Sequence, residues 1–230
     1  MLSASIEDYI KAIYTLEAEH HKATTKRIAE QLSVRMASVT GMVKHLAAEG
    51  YVAHKRYRGV TLTLKGRRIA VNMIRRHRLI ELFLCTTLGL PWDEVDADAE
   101  VLEHVVSDKV IERIYDFLGR PEFDPHGSPI PGPEGPVPPP RGIPLSQLGP
   151  GDRGRVVEVS DREANFLRYL TQLKIELGSE VAVREKAPFD GPITLSMGSR
   201  SIVIGPEAAA RIRVHVDVAR AARKSRRLKS

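Results

Sequence analysis

Residues 24–52, "TTKRIAEQLSVRMASVTGMVKHLAAEGYV", decide the fold of the N-terminal part of this chain. Their apolar residues recur in two runs, at the three- and four-residue intervals of a helix. The runs are Ile28, Ala29 and Leu32, followed by Val39, Met42, Val43 and Leu46. Ser33 and Val34 stand between the runs, and Gly50 follows the second run as a residue suited to a left-handed helix end. The stretch therefore predicts two helices joined by a short turn.

The next residues, "YVAHKRYRGVTLTLKG" at 51–66, alternate in the manner of a strand through Val60, Leu62 and Leu64, and predict a small hairpin with Arg58 and Gly59 at its tip. A helix-turn-helix places its second helix in the major groove of DNA. An ordinary helical hairpin is the alternative, and the cationic wing favours DNA because its side chains reach the phosphate backbone. The residues expected to contact DNA are Thr25, Lys26, Arg35, Ala37, Ser38, Thr40, Lys44, Arg56 and Arg58.

Charge is unevenly distributed along the chain, whose formal net charge is +6. Residues 1–70 contain twelve Lys or Arg against six Asp or Glu, whereas residues 71–216 contain 17 against 22. A basic first part suits a polyanion such as DNA, and an acidic centre suits a cation. The single cysteine, Cys85, excludes an internal disulfide framework and a thiolate zinc cluster.

No apolar run approaches the roughly 18 residues of a membrane span, and the first residues lack a basic segment followed by an apolar core. We therefore expect a cytoplasmic protein with no membrane partner.

Further helical patterns are predicted over 5–18, 67–88 and 93–118. Residues 119–144 are so rich in Pro and Gly that neither a helix nor a strand ladder is expected there, and they predict a linker. Four short strands follow, "RGRVVEVS", "GSEVAVREK", "GPITLSMGS" and "RSIVIG", with "REANFLRYLTQL" as a helix between the first two. The predicted fold is mainly α with a small β-barrel, and residues 217–230 form a basic tail.

Acidic and imidazole groups are concentrated in the helical patterns predicted over 67–88 and 93–118. Residues 98–108, "DAEVLEHVVSD", place two carboxylates and a histidine on one helical face, and two further ligands interrupt the apolar face of 67–88. The six potential ligands are His77, Glu81, Asp96, Glu100, Glu103 and His104. One such group alone is more simply a solvated polar face, but together these side chains would repel one another without a cation. We therefore predict a divalent metal.

The types of ligand limit the choice of metal ion. They do not by themselves decide between the possible functions. Carboxylates with imidazole favour Mn²⁺ or Fe²⁺, while Zn²⁺, Co²⁺, Ni²⁺ and Cd²⁺ are plausible substitutes in vitro. A metallohydrolase would need an open coordination position and a general base, and the chain lacks the paired histidines of the zincin motif. A winged-helix regulator of an organic ligand would need an apolar pocket, for which one tryptophan and five phenylalanines offer no aromatic-lined candidate. Neither an enzyme nor an organic small-molecule substrate is expected.

These motifs resemble the metal-dependent transcriptional repressors of the diphtheria toxin repressor and manganese transport regulator type. The matching segments are "EDYIKAIYTLE", the winged helix, "RRHRLIELFL", "EHVVSDKVIERI", "DPHGSPIPGP" and "LGSEVAV". The resemblance covers nearly the whole chain. It implies a winged helix-turn-helix domain over 1–68, a helical dimerisation and metal-binding domain over 69–120, a Pro/Gly-rich linker over 121–143 and an SH3-like barrel over 144–216.

The resemblance also implies which residues hold metal. It places the primary site on Asp8, Glu100, Glu103 and His104. It places a secondary site on His77, Glu81 and Asp96, with Glu163 as a ligand from the barrel. Iron-responsive members have methionine at the position of Asp8 and cysteine at that of Glu100, whereas manganese-responsive members have oxygen donors at both.

The implied function follows from these ligands. The resemblance implies a homodimer that represses metal-import genes by binding a pseudo-palindromic double-stranded DNA operator when the metal is abundant. Mn²⁺ is favoured, and an iron-responsive regulator of the same family is the alternative.

Overall fold

The computed structural model describes residues 2–20, 22–55, 59–133 and 135–216. The predicted DNA contacts Arg56 and Arg58 and the predicted tail 217–230 lie outside these residues. The chain divides into two compact units. The first comprises Met1–Ile80, Asp98–Pro121 and Ile130–Pro138, and the second comprises Glu81–Ala97, Glu122–Pro129 and Pro139–Ser230. Within the described ranges, no helix combines the length and the apolar character needed to cross a membrane.

The predicted helix-turn-helix and wing are present in the first unit. Their elements are α1 (Ala4–His20), α2 (Thr25–Gln31), α3 (Met36–Ala48), β1 (Val52–Lys55) and β2 (Gly59–Leu62). Ile10 and Ile13 of α1 are buried in the same core as Val39 and Leu46 of α3, so α1 and α3 pack as one body. Gly50 takes the expected left-handed conformation at the end of α3, with a φ of 75°.

Three helices follow the wing, where two were predicted. They are α4 (Leu64–Leu88), α5 (Val95–Val105) and α6 (Asp108–Phe117). The strand pattern through Leu64 was wrong at its end, because β2 stops at Leu62 and Leu64 begins α4.

The single helix predicted over 93–118 is broken after α5 by a side chain from α4. The guanidinium of Arg76 donates to the backbone oxygens of Glu103 and Val106 and, at 2.6 Å, to the carboxylate of Asp108. Because Arg76 satisfies these two backbone oxygens, they need no N–H partner from a further turn of helix. Ser107 takes an extended conformation with a ψ of 152°. A long-range contact therefore set a boundary that helical periodicity did not reveal.

The second unit contains an antiparallel sheet. Its elements are β3 (Ile143–Pro144), β4 (Arg153–Val159), α7 (Ala164–Leu173), β5 (Glu180–Lys186), β6 (Ile193–Met197), β7 (Arg200–Ile204), α8 (Pro206–Ala210) and β8 (Ile212–Val216). The four predicted strands and the helix between the first two are confirmed, whereas β3 and β8 were not predicted. The strand order is β3-β8-β4-β5-β6-β7. Among the described pairings β3 and β7 are the edges, so the predicted closed barrel is not shown.

The predicted linker is packed over part of its length. Residues 124 and 126–131 are buried. The described part of 119–144 contains an isolated bridge between Phe123 and Pro129 and, at its end, strand β3, where no strand was expected. Oδ1 of Asp124 accepts hydrogen bonds from the backbone N–H groups of His126 and Ser128, at 2.8 and 2.9 Å. Gly127, with a φ of 87°, lies so close to Val157 that a Cβ atom would stand 2.1 Å from its carbonyl oxygen. This turn is therefore held in one conformation.

The start of α4 offers a test of the packing in the first unit. A Cβ atom at Gly66 would lie 2.2 Å from the carbonyl oxygen of Tyr51, whereas one at Gly41 of α3 would have no neighbour within 4 Å. We expect Gly66→Ala to lower the free energy of unfolding by about 1–3 kcal/mol through overpacking. Gly41→Ala should raise it by up to about 1 kcal/mol through helix propensity. Urea unfolding of the two variants measures both effects, and a Gly66→Ala chain as stable as the wild type would contradict the packing.

Candidate metal centres and DNA-binding face

Four predicted ligands of the primary site meet in the first unit. Asp8 comes from α1, and Glu100, Glu103 and His104 come from successive turns of α5. One ligand atom from each lies within 4.8 Å of all the others. The Glu103 side chain is fully buried, and those of His104 and Asp8 are 11 % and 33 % exposed. We call these four residues the primary cluster.

The orientation of His104 leaves one ring nitrogen for a metal. Its Nδ1 lies 2.7 Å from a carboxylate oxygen of Glu7, which as an ionised acceptor requires Nδ1 to donate. In the neutral ring the lone pair is then on Nε2, which lies 3.0 Å from Oδ1 of Asp8. That oxygen is buried and accepts no hydrogen bond within the described part of the chain. Two electron-pair donors thus face each other, as they do around a cation.

Glu7 was missed by the sequence analysis. It neighbours Asp8 in the sequence, and consecutive helical residues point about 100° apart, so no spacing rule groups them. Only the position of His104 on α5 reveals that Glu7 orients the imidazole ring.

Within the primary cluster, the pKa of the Asp8 carboxyl group is raised and that of Glu103 is lowered. Burial raises the pKa of Asp8, and the Glu100 and Glu103 carboxylates raise it further against the opposing influences of His104 and Lys11. Burial also acts to raise the pKa of Glu103, but the hydrogen bond from His77 and the charge of Lys11 hold that pKa below its usual value. Positive charge therefore compensates Asp8 less completely than it compensates Glu103.

A second cluster lies in the second unit. It consists of Glu81 on α4, Asp124 and His126 in the Pro/Gly-rich segment, and Asp161 after β4, with one ligand atom from each within 4.8 Å of the others. The first three are buried, with His126 and Glu81 fully so. We call these four residues the second cluster.

The tautomer of His126 is determined by a backbone carbonyl. Its Nε2 lies 2.8 Å from the carbonyl oxygen of Trp92, so Nε2 carries the proton and donates it. The lone pair is then on Nδ1, which is buried, accepts no hydrogen bond from any described residue and lies 3.8 Å from Oε1 of Glu81. A metal-ligating histidine whose other N–H donates to a carbonyl has the same arrangement.

The structure does not assemble the predicted secondary site as one group. Glu81 lies in the second cluster, whereas Nδ1 of His77 lies 2.6 Å from Oε2 of Glu103 in the first unit. Glu163 is ion-paired with Arg211 at 2.9 Å, and the carboxylate that reaches the second cluster is Asp161, two residues earlier. Asp96 is exposed on α5 and is not one of the four.

The sequence does not single out Asp124, His126 and Asp161, because 119–144 predicts a linker and Asp161 stands between a predicted strand and a predicted helix. The signal was "DPHGSP" at 124–129, in which two ligand types stand two residues apart in a turn.

The predicted DNA contacts within the described residues lie on the open side of the helix-turn-helix. Lys26, Arg35, Ala37, Ser38, Thr40 and Lys44 are exposed, and Thr25 is half-buried. On the opposite side of α3, Val39, Val43 and Leu46 are buried. The outward face thus combines small and hydroxyl groups with cations, a composition that allows close approach to a major groove.

Three family models match the chain in succession. Residues 1–60 match the model "Iron dependent repressor, N-terminal DNA binding domain". Residues 63–132 match "Iron dependent repressor, metal binding and dimerisation domain", and residues 143–216 match "FeoA domain".

Curated proteins and solved structures agree with these models. The iron-dependent repressor IdeR of Mycobacterium tuberculosis (strain ATCC 25618 / H37Rv) is 37% identical over 177 residues, which are 77% of this chain and 68% of that protein. The regulator MntR of Geobacillus kaustophilus is 42% identical over 118 residues, 51% of this chain and 83% of that protein. A manganese-dependent transcriptional repressor solved with manganese has a TM-score of 0.85 and 41% identity, over 92% of this chain and 100% of that one. This chain belongs to the diphtheria toxin repressor and manganese transport regulator family of metal-dependent repressors.

Proposed function

We propose that this chain is a metal-dependent DNA-binding transcriptional repressor whose activating ion is held by Asp8, Glu100, Glu103 and His104. The observation that carries the proposal is the position of Asp8 on α1, opposite three ligands on α5. The buried oxygen of Asp8 accepts no hydrogen bond from the described residues and lies 3.0 Å from Nε2 of His104. A bound divalent ion supplies the positive charge that these groups lack.

The proposed coupling to DNA runs through α1. Its Asp8 faces α5, while its apolar residues Ile10 and Ile13 are buried in the core that also holds α3. Any change in the position of α1 relative to α5 therefore moves α3, whose outward face is the proposed DNA-binding surface. Coupling of this kind typically changes affinity 5–150-fold, about 1–3 kcal/mol.

Mn²⁺ is the proposed physiological ion, and Fe²⁺ is the alternative. Three carboxylates with one imidazole are hard and borderline donors, and no thiolate is among them. IdeR relatives are named as iron-dependent, and a similar solved structure is named as manganese-dependent with manganese bound. Zn²⁺, Co²⁺, Ni²⁺ and Cd²⁺ are expected to substitute in vitro, because geometry and availability rather than affinity determine selectivity.

We propose the second cluster as an additional metal centre. Glu81, Asp124 and Asp161 offer carboxylates, and the neutral His126 offers the lone pair of Nδ1. These ligands come from α4, from the turn at 124–129 and from the segment after β4. An ion at this centre would join these three parts of the second unit.

The DNA-binding form is proposed to be a homodimer. Val101 and Val105 of α5 and Val110 and Phe117 of α6 are exposed to between 47% and 71%, in the part of the chain that matches a dimerisation domain. A two-fold dimer presents two copies of α3 about 34–36 Å apart to successive major grooves, hence a pseudo-palindromic operator.

The proposed targets are metal-import genes, repressed when the ion is plentiful. No catalysis is proposed. The proposed division is a DNA-binding domain over 1–68, a dimerisation and metal-binding domain over 69–120, a linker over 121–143 and a C-terminal domain over 144–216.

His104→Ala tests the primary cluster. We expect it to abolish Mn²⁺-stimulated binding to duplexes selected from a random pool by the manganese-loaded wild type, because Nε2 is removed. His215→Ala removes an exposed histidine of β8 and should retain the stimulation. Gel retardation with and without Mn²⁺ measures both, and full stimulation of the His104→Ala chain would refute the assignment.

Lys44→Ala tests the DNA-binding face of α3. We expect weaker binding and a salt dependence reduced by about one in slope, because one phosphate contact is lost. The exposed Lys109 of α6 provides the control Lys109→Ala, which should match the wild type. Fluorescence anisotropy at several salt concentrations measures the slope, while unchanged Mn²⁺ content establishes that the metal centres remain. An unaltered slope for Lys44→Ala would exclude it from the DNA interface.

Asp161→Asn and His126→Ala test the second cluster. Each should lower the Mn²⁺ or Zn²⁺ content by one ion per chain while the His104-dependent ion is retained. Glu163→Gln, which alters the ion-paired carboxylate two residues after Asp161, should leave the content unchanged. Equilibrium dialysis with elemental analysis gives the count. A loss of metal in Glu163→Gln but not in Asp161→Asn would instead support the ligand expected from sequence.

A further inference from the structure

Lys11 extends from α1 into the carboxylates of α5. Its Nζ lies 2.8 Å from Oε2 of Glu100 and 2.9 Å from both carboxylate oxygens of Glu103. Three acceptors match the three N–H donors of an ammonium group. The Lys11 side chain is only 19 % exposed, so these contacts are largely shielded from water. Lys11 is thus a fixed component of the metal-binding region rather than a surface charge.

The ammonium occupies a point where carboxylate and imidazole side chains converge. Besides the three contacts with carboxylate oxygens, Nδ1 of His77 lies 3.3 Å from Nζ. Two carboxylates and an imidazole therefore surround this point from α4 and α5. Glu100 and Glu103 also belong to the primary cluster, so the ammonium stands beside the proposed ion and shares its ligands. In carboxylate-bridged sites of this kind two cations lie roughly 3.5–4 Å apart.

The net charge of the surrounding side chains matches the binding of one divalent ion. Glu7, Asp8, Glu100 and Glu103 contribute negative charges, and Lys11 neutralises one of them. A single divalent ion would leave this group of side chains close to neutrality. A second divalent ion would have to enter the space of the ammonium and would be repelled by it.

We propose that Lys11 is a built-in cation that fills the second cation position and restricts the primary cluster to one divalent ion. That ion is held at the end formed by Asp8 and His104. Lys11 also links α1 to α5 when no ion is bound, because its contacts require only the chain itself. The inference rests on the proposed function of the primary cluster as a metal site.

Lys11→Ala tests the inference directly. Removal of the ammonium opens the space between His77, Glu100 and Glu103, and we expect one additional Mn²⁺ per full-length chain. Two ions sharing carboxylates give an exchange-coupled EPR spectrum, whereas wild-type protein should give the spectrum of isolated Mn²⁺. Lys11→Arg retains a cation and should behave as the wild type, as should the surface variant Lys109→Ala. Equilibrium dialysis measures the ion count on the same samples.

The outcomes separate the two proposals. A coupled Mn²⁺ pair in the wild type overturns the role of Lys11 whatever the variants do, and so does a folded Lys11→Ala chain with the wild-type count. Lys11→Gln, which keeps a polar side chain without charge, gives the same comparison if Lys11→Ala fails to fold. If His104→Ala binds as much Mn²⁺ as the wild type, the primary cluster itself is not the metal site. If His104→Ala loses an ion while Lys11→Ala and Lys11→Gln gain none, only the Lys11 proposal fails.

Discussion

The repulsion between carboxylates brought together by α1 and α5 is the constraint on which the functional architecture depends. Glu103 is fully buried and Asp8 is two-thirds buried, and ionised groups in such positions require compensating charge. Lys11 compensates Glu103 and Glu100 with contacts of 2.8 to 2.9 Å, and the buried oxygen of Asp8 has no comparable donor among the described residues. The energetic demand for a cation is therefore localised at Asp8, the one member of the primary cluster that α1 carries.

In the proposed mechanism, the position of Asp8 on α1 is what lets a bound ion act on the DNA-binding face. α1 is at once the carrier of Asp8 and a wall of the core that supports α3. Side chains in such a core are densely packed and do not deform independently, so α1 and α3 respond together. In the proposed mechanism, a difference in charge compensation at Asp8 displaces the proposed DNA-binding face.

In both clusters a hydrogen bond to one ring nitrogen of the histidine orients the other nitrogen toward the carboxylates. In each, one ring nitrogen is held by an acceptor that cannot donate, the Glu7 carboxylate for His104 and the Trp92 carbonyl for His126. The other nitrogen then presents its lone pair toward carboxylates. The second cluster depends on a turn in which Asp124 accepts two backbone hydrogen bonds and Gly127 approaches the carbonyl of Val157. Within the proposed linker, residues 124–129 thus form a fixed turn.

The sequence by itself determined the winged helix-turn-helix, the strands β4 to β7 and the face shared by Glu100, Glu103 and His104. Local periodicity suffices for these because neighbours along a helix or strand decide which side is apolar. Asp8 was predicted from the family resemblance alone, because its position in the helical pattern of 5–18 does not indicate a metal ligand.

Only the tertiary structure showed that Glu81 and His77 belong to different clusters. It also showed that Asp161, rather than Glu163, lies with Asp124 and His126 in the second cluster. It also placed Lys11 among the carboxylates and ended α5 with Arg76. These features depend on atoms far apart in the chain, and the direction of a side chain in a turn or at the end of a helix follows from packing rather than from sequence period.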